Sequence, residues 1–300
     1  MRKSKLIIDA PAALGFVVSQ RTHIETEVLK RPYAAIRYAE MIPIDTSAHP
    51  FAASVTHFTQ DAVGRAKFIN GKGDDIPLVN VTGSKFEMTV NTAGVGYSFS
   101  LEEIGAAQQL GQNLSADGAN AARLAYEQLV DEVLLAGDPV LSVEGLYNTT
   151  GITSVAAAQT FALGTPQQIL VTINTALSAI MTDTLGIEMA DTIVLPLAQY
   201  ADIASRQLAP ESDVTILEFI RRANVYTVQT GRPLTILADR RLSKMVVYRR
   251  DPSVVKAHIP MPLQFIPPQA VNLEIKVLGM FRFAPVSIRR PKAVRYVTGV

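Results

Sequence analysis

Between residues 114 and 136 apolar positions return every three or four residues: Ala122, Tyr126, Leu129 and Val133 share one face, while Arg123, Glu127 and Asp131 fall on another. The spacing predicts a helix about 30 Å long, started by Ser115 as N-cap and closed by Gly137. Its apolar side is expected to be buried and its charged side to face solvent or a partner. A second stripe, Ile169, Ile173, Ala176, Leu177 and Ile180, runs up to Gly186 and starts on Thr165, Pro166 and Gln168, which supply an N-cap, an N1 proline and a capping-box partner. Leu101 to Leu110 is a shorter helix with its own capping box, Ser100 with Glu103, and a stop at Gly111. Strand spacing is just as plain elsewhere. Phe86, Met88 and Val90 alternate with Lys85, Glu87, Thr89 and Asn91, which predicts a sheet strand with one buried and one solvated face. Leu273, Ile275 and Val277 alternate likewise, and the apolar run 191–197 reads as a buried strand leading into a helix over 197–207. A helix over 214–223, strands near Thr235 and Met245, and β-like sequence over 286–297 complete the pattern. Gly94 and Gly96 predict a bulge or tight bend.

Two stretches break these rules. In residues 54–69 Val55, Phe58, Val63 and Phe68 do not alternate cleanly with polar residues, so neither face reads as a core face. Asn70 to Asp75 (NGKGDD) then has the composition of a hairpin tip, and β-compatible sequence returns after it. Two arms of roughly 15 residues would reach about 50 Å. Because an isolated two-stranded hairpin is marginal in water, this one is expected to lie on a neighbouring subunit through Phe68, Ile69, Asn70, Gly71, Lys72, Gly73, Asp74 and Asp75. The other stretch is AGDPVLSVEGLYNTTGI, residues 136–152. Gly137, Asp138 and Pro139 stop the long helix, and Gly145 with Asn148 supply turn chemistry, so these five residues read as a hinge between two lobes. Leu146 and Tyr147 are expected to pack there. Upstream, residues 20–40 read as a helical arm interrupted at Pro32 and ended by Ile42-Pro43.

Composition narrows the function. A chain of 300 residues suggests two lobes with real cores. The α/β alternation after Thr150 forms the second, inserted in the first if strands from the C-terminus return to it. Hydrophobic residues make up 48% and charged ones 18%, below the average of about 25% charged, yet no apolar run approaches the roughly 20 residues of a membrane span. Extensive subunit contact explains that balance. The basic start MRKSKLIIDAP is broken by Asp9 and Pro11 before a signal core forms, so it reads as a retained, cytosol-made arm. Cysteine is absent, which excludes disulfides and thiolate metal sites, and the net charge of +1 provides no field for nucleic acid.

Candidate chemistry is sparse. His23 and Glu27 share a helical face but lack a third ligand, so a surface ion pair is the expected reading. Gly94-Val-Gly96 lacks the third glycine of a dinucleotide loop, and Gly71 to Asp75 matches neither a phosphate nor a calcium loop. No G-x-S-x-G elbow or H-E-x-x-H helix occurs. The basic set Arg282, Arg289, Arg290, Lys292 and Arg295 alternates across strand faces and is expected to form interface ion pairs rather than a nucleic-acid patch.

The order of these elements, together with Asp61-Ala-Val-Gly64, Asp75-Ile-Pro77, Tyr97-Ser-Phe-Ser-Leu-Glu-Glu103, Ala121-Ala-Arg-Leu-Ala-Tyr-Glu127, Gly137-Asp138, Gly145-Leu-Tyr-Asn148 and Gly151-Ile152, resembles the major capsid proteins of tailed phages. The resemblance implies the α+β Hong Kong 97-like fold that encapsulins share. It implies an N-terminal arm over 1–50 and an extended hairpin loop with its base strand over 51–96. A peripheral domain with a spine helix would cover 97–149 and 261–300, and an inserted α/β axial domain 150–260. The implied function is a non-enzymatic shell subunit, without cofactors or metal. Pentamers and hexamers of it would form an icosahedral head around double-stranded DNA, in a virion assembled in the host cytoplasm. Scaffolding, portal or decoration proteins would be its further partners, and packaged DNA would be touched non-specifically. An encapsulin-like cellular compartment is the alternative, and a soluble α/β enzyme the reading from another class. Some family members crosslink a loop lysine to an asparagine; with only Asn272 in the C-terminal part, no crosslink is expected from Lys67 or Lys72.

Overall fold

The computed structural model describes residues 33–66, 68, 78–110 and 114–300. Residues 33–35 are the described end of a separate N-terminal unit and have no regular structure; residues 36–300 form the other unit. The latter runs α1 (Tyr38–Met41), β1 (Ile44–Asp45), β2 (Ser54–Val63), β3 (Asn80–Thr89), β4 (Asn91–Ser100), α2 (Leu101–Leu110), α3 (Leu114–Ala136), β5 (Thr153–Ala156), α4 (Pro166–Asp183), β6 (Thr192–Pro196), α5 (Leu197–Ser205), α6 (Ile216–Ala223) and α7 (Val225–Thr230). It continues through β7 (Thr235–Asp239), β8 (Met245–Tyr248), β9 (Val255–His258), β10 (Met261–Phe265), β11 (Gln269–Val271), β12 (Glu274–Phe283), β13 (Ser287–Ile288), a 3-10 turn (Pro291–Ala293) and β14 (Val294–Thr298).

A five-stranded sheet in the order β5-β14-β8-β6-β7 organises the core. Successive strand residues point to opposite faces, and here both faces are covered. Val194, Val246, Tyr248, Val294 and Tyr296 join Tyr126, Val130, Val133 and Leu134 of α3 in one core. Ile193, Leu195, Met245, Val247 and Val297 meet Ile169, Ile173, Leu177 and Ile180 of α4 in the other. Burial on both sides is why β6 and β8 read as unbroken apolar runs. The first core is extended by the pairing of β12 with β4, unbroken from Glu274↔Ser100 to Phe283↔Asn91, which brings Phe281 edge-on to Tyr126 with centroids 4.7 Å apart.

Local signals set the helix starts. Thr165 and Gln168 close the capping box as read from sequence, with Gln168 N donating to Thr165 Oγ1 at 3.3 Å and Thr165 N to Gln168 Oε1 at 2.8 Å. Ser100 and Glu103 do the same for α2. Replacing Thr165 by alanine is expected to cost about 1 kcal/mol, measurable as a lower midpoint in urea unfolding with unchanged slope.

Several expectations need correction. The predicted buried face of the β3 stretch holds only at its base: Val90 is buried and Met88 half-buried, but Phe86 stays 52% exposed, where β3 pairs with β2 in a two-stranded sheet. Farther from the base, alternation in this strand marks a face that the described residues leave largely uncovered. Gly94 and Gly96 make no bend, since they lie inside the continuous β4 with no shift of register. On α3, Leu129 is partly exposed at 38%, Val130 is fully buried instead, and Asp131, placed on the polar face, is 5% exposed. The helix also begins at Leu114, so Ser115 lies inside it. Finally, β14 does not return to the β4–β12 sheet but pairs parallel to β5 and antiparallel to β8. Of the arm read over 20–40 only its end is described: residues 33–37 are not helical, Tyr38–Met41 are, and the helix stops before Ile42-Pro43. The readings of His23 with Glu27, the Gly111 stop and the hairpin tip over 70–75 lie outside the described residues.

Candidate assembly surfaces and the joint between them

The joint is a closed loop folded back on the end of α3. Gly137 takes φ +81°, a left-handed conformation that glycine alone adopts without strain. Asp138 and Val143 then exchange backbone bonds at 2.9 Å, and the Asp138 carboxylate accepts the Val140 N–H at 2.8 Å. Leu146 N and Tyr147 N donate to the carbonyls of Leu134 and Leu135 at 3.0 and 2.9 Å. Two helix-end acceptors that α3 cannot satisfy itself are thereby paired. Asn148 Oδ1 accepts Gly145 N at 2.6 Å and closes the turn. The structure therefore brings Gly137, Asp138, Pro139, Gly145 and Asn148 into one loop, with Leu146 and Tyr147 buried beneath it.

Tyr147 leads into a buried polar network that sequence reading missed. Its hydroxyl donates to Asp239 Oδ2 at 3.0 Å. Arg241 Nη2 lies 3.0 Å from the same oxygen and 2.6 Å from Asp131 Oδ2 on α3. The other Asp131 oxygen accepts Arg37 N and Tyr38 N, both at 2.8 Å, which caps α1. One guanidinium thus ties the end of the five-stranded sheet to the long helix and to the chain entering it. Burial pushes the Asp239 carboxyl up, but bonds from Arg241 outweigh it and hold it below its ordinary value. Burial, and then the Asp239 charge, push Tyr147 strongly upward, so it stays a donor. No local signal in the sequence could have found it, since Asp131 reads with Arg123 and Glu127 on the charged face and its partner lies 110 residues away.

The hairpin is the opposite case. All ten residues of β2 pair with β3, from Ser54↔Thr89 to Val63↔Asn80, yet Phe58, Leu78, Val79 and Val81 are exposed. Phe68, the one described residue of the predicted contact set, is fully exposed. Ile69, Asn70, Gly71, Lys72, Gly73, Asp74 and Asp75 lie outside the described residues.

The basic C-terminal set is largely spent within the chain. Arg282 donates to Pro50 O and Thr92 Oγ1, both at 2.9 Å, Arg295 pairs with Asp183 at 2.7 Å, and Arg290 shares buried Glu188 with Arg249. These pairs stabilise the tile itself, contrary to the expectation of interface pairing. They also neutralise a hollow of about 750 Å³ lined by Asp183, Leu185, Ile187, Glu188, Arg290 and Lys292. Among the described residues no group of three or more His, Asp or Glu is arranged to hold a metal, and no helix is long and apolar enough to cross a membrane.

Comparison with known proteins fits this geometry. Solved structures with similar folds include the capsid of Myoviridae phage XM1, at TM-score 0.80 and 18% identity over 94% of this chain and 98% of that one. The capsid of an empty GTA particle matches at TM-score 0.61 and 12% identity over 96% and 97% of the two chains. The virus-like particle from Pyrococcus furiosus matches at TM-score 0.54 and 13% identity over 86% and 91%. No curated protein sequence matches. The family model described as major capsid protein matches residues 64–300. A tile with exposed apolar strands and charges already paired within it is thus accounted for: the chain belongs to the major capsid protein family, structural subunits of the virion shell.

Proposed function

We propose that copies of this chain form pentameric and hexameric capsomers that close an icosahedral head around double-stranded DNA, and that the hairpin is the part each copy lays on its neighbour. The carrying observation is the β2–β3 pair, which exposes Phe58, Val81 and Phe86 and has no third strand among the described residues. Such a ribbon gains stability only from a surface it can cover. In this reading 1–50 form an arm, 51–96 the extended loop and its base, 97–149 and 261–300 a peripheral domain around α3, and 150–260 an axial domain that borrows β14. The loop at 137–148 sets the angle between the last two. Contact with DNA is non-specific, in keeping with the net charge of +1, and scaffolding, portal or decoration proteins are further partners.

Deletion of residues 68–77 tests the role of the hairpin. The shortened chain is expected to keep its circular dichroism spectrum and unfolding midpoint while closed particles vanish from electron micrographs. Normal particles from that variant would refute the role. Particles that enclose protein cargo and no DNA would point to a cellular compartment built on the same tile.

A further inference from the structure

We propose that the root of the hairpin is an acid-sensitive latch: His57 and His258 are held there with Nδ1 buried and unbonded, in the company of Arg289 and Lys256, and the one carboxylate beside His258, Asp45, is already taken by Lys256, so that protonation of the two imidazoles drives the hairpin root off the body of the chain. His57 sits on β2 with its ring stacked on Phe86, centroids 5.3 Å apart and planes 14° from parallel, which leaves the ring edge for its polar contacts. Its Nδ1 is buried without a hydrogen-bond partner. His258 ends β9, is 4% exposed, and has neither ring nitrogen bonded. Its Nδ1 stands 3.6 Å from Asp45 Oδ2, beyond hydrogen-bond range. Asp45 is already engaged by Lys256 and by Ser47 N. Arg289, just past β13, lies within electrostatic reach of both histidines and has its own Nε buried and unbonded.

The other charges around the root are committed elsewhere. Arg282 of β12 donates to Pro50 O and Thr92 Oγ1, and on β3 Lys85 and Glu87 pair with each other in solvent, with Ser54 donating to Glu87. With neutral imidazoles the cluster holds two cations, Lys256 and Arg289, against one carboxylate. Protonated, it holds four against one. Burial first, and then Arg289, hold His57 below its ordinary value of 6.5. Burial does the same to His258, where Lys256, Arg289 and His57 act with burial against the pull of Asp45. A histidine depressed in the docked state stabilises docking fully above its ordinary value, and that stability drains as pH falls below about 6.5 towards the docked value. Asp45 is held far below the carboxylate range, principally by Lys256, and stays charged throughout this window. The hairpin feels the change because, among the described residues, β2 and β3 have no third strand to hold them. The latch belongs to the single chain and stands whether or not that chain tiles a shell.

Amide hydrogen exchange on the full-length, unassembled chain tests it. After correction for the intrinsic pH dependence of exchange, protection of residues 54–60 and 84–90 is expected to fall about tenfold or more between about pH 7.5 and 5.5, tenfold corresponding to one pKa unit of linkage. Protection of α4 should hold over the same range. A His57→Gln, His258→Gln double variant is expected to keep its hairpin protection. Wild-type protection that survives at the lower pH, or an equal loss in the double variant, overturns the latch. Should that variant not fold, the imidazole resonances of the wild type decide. Two of the four histidines titrating below the ordinary range as the hairpin loosens supports the latch, and four ordinary titrations overturn it.

Discussion

Replacing Arg241 by alanine is expected to cost about 3–5 kcal/mol of folding stability, the usual price of leaving buried charge without its partner. The side chains of Asp131 and Asp239 are only 7% and 3% exposed, so water cannot replace the guanidinium. Two carboxylates that face the same position then lose their only counter-charge among the described residues and keep only the neutral donors Arg37 N, Tyr38 N, the Tyr147 hydroxyl and the residue 241 N–H. Arg241→Lys should recover part of the loss, since an ammonium restores charge but cannot reproduce the forked geometry that spans both partners. The pH dependence separates this from simple loss of packing. In the wild type the depressed Asp239 pKa contributes stability that is present above the ordinary value of 3.8 and lost as pH falls through the folded value. In the alanine variant only the Tyr147 hydroxyl and the backbone N–H of residue 241 still oppose burial at Asp239, so its protonated form is favoured relative to the wild type and the gap between the two should narrow as pH falls from about 7 to about 4. Urea midpoints across that range measure it, and a constant gap would assign the loss to packing alone.

That network also shows where sequence reading stops. The helices at Pro166 and Leu101 were legible because a capping box is complete within four residues, and β6 because a strand buried on both faces writes its burial into every residue. Asp131 was not legible. Its helical spacing placed it with Arg123 and Glu127, and nothing local reports an arginine 110 residues later. Leu129 and Val130 were exchanged for a related reason: one helix position is 100° of rotation, and the buried stripe is fixed by Phe281 and the β4–β12 pair arriving from far along the chain. β3 misled in the opposite direction. Its alternation truly encodes an apolar face, which the described residues cover at Val90 and partly at Met88 but leave open at Phe86. For a subunit of a shell, periodicity reports burial in the assembly, whereas the fold of one copy reports only what that copy can reach. The joint was readable as punctuation from Gly137, Pro139 and Gly145, but its bonds to Leu134 and Leu135 required coordinates.

Those bonds make Gly145 the second position of large effect. A Cβ on Gly145 would lie 2.5 Å from Gly137 N and 2.6 Å from the Leu135 carbonyl carbon and oxygen, all backbone atoms with no rotamer to yield. Gly145→Ala must therefore move the loop off the end of α3. The bonds from Leu146 N and Tyr147 N to the helix carbonyls stretch or break, and overpacking strain adds to them, for an expected loss of about 3 kcal/mol or more. Gly151→Ala is the matched control: its φ of +79° strains any other residue, but its Cβ meets nothing within 4 Å, so only about 1 kcal/mol is expected. Gly145 itself has no positive φ, so if its variant costs no more than the control, the loop yields to the added methyl and close approach is not what fixes glycine there. The loop and the buried network are also coupled, because Leu146 and Tyr147 leave the helix end together and Tyr147 carries the hydroxyl that reaches Asp239. Once Gly145→Ala has displaced Tyr147, part of what Arg241 holds in place is already lost. The double variant Gly145→Ala, Arg241→Ala should therefore cost less than the sum of its parts by about 1 kcal/mol, whereas strict additivity would mean that the joint and the network hold the two cores independently.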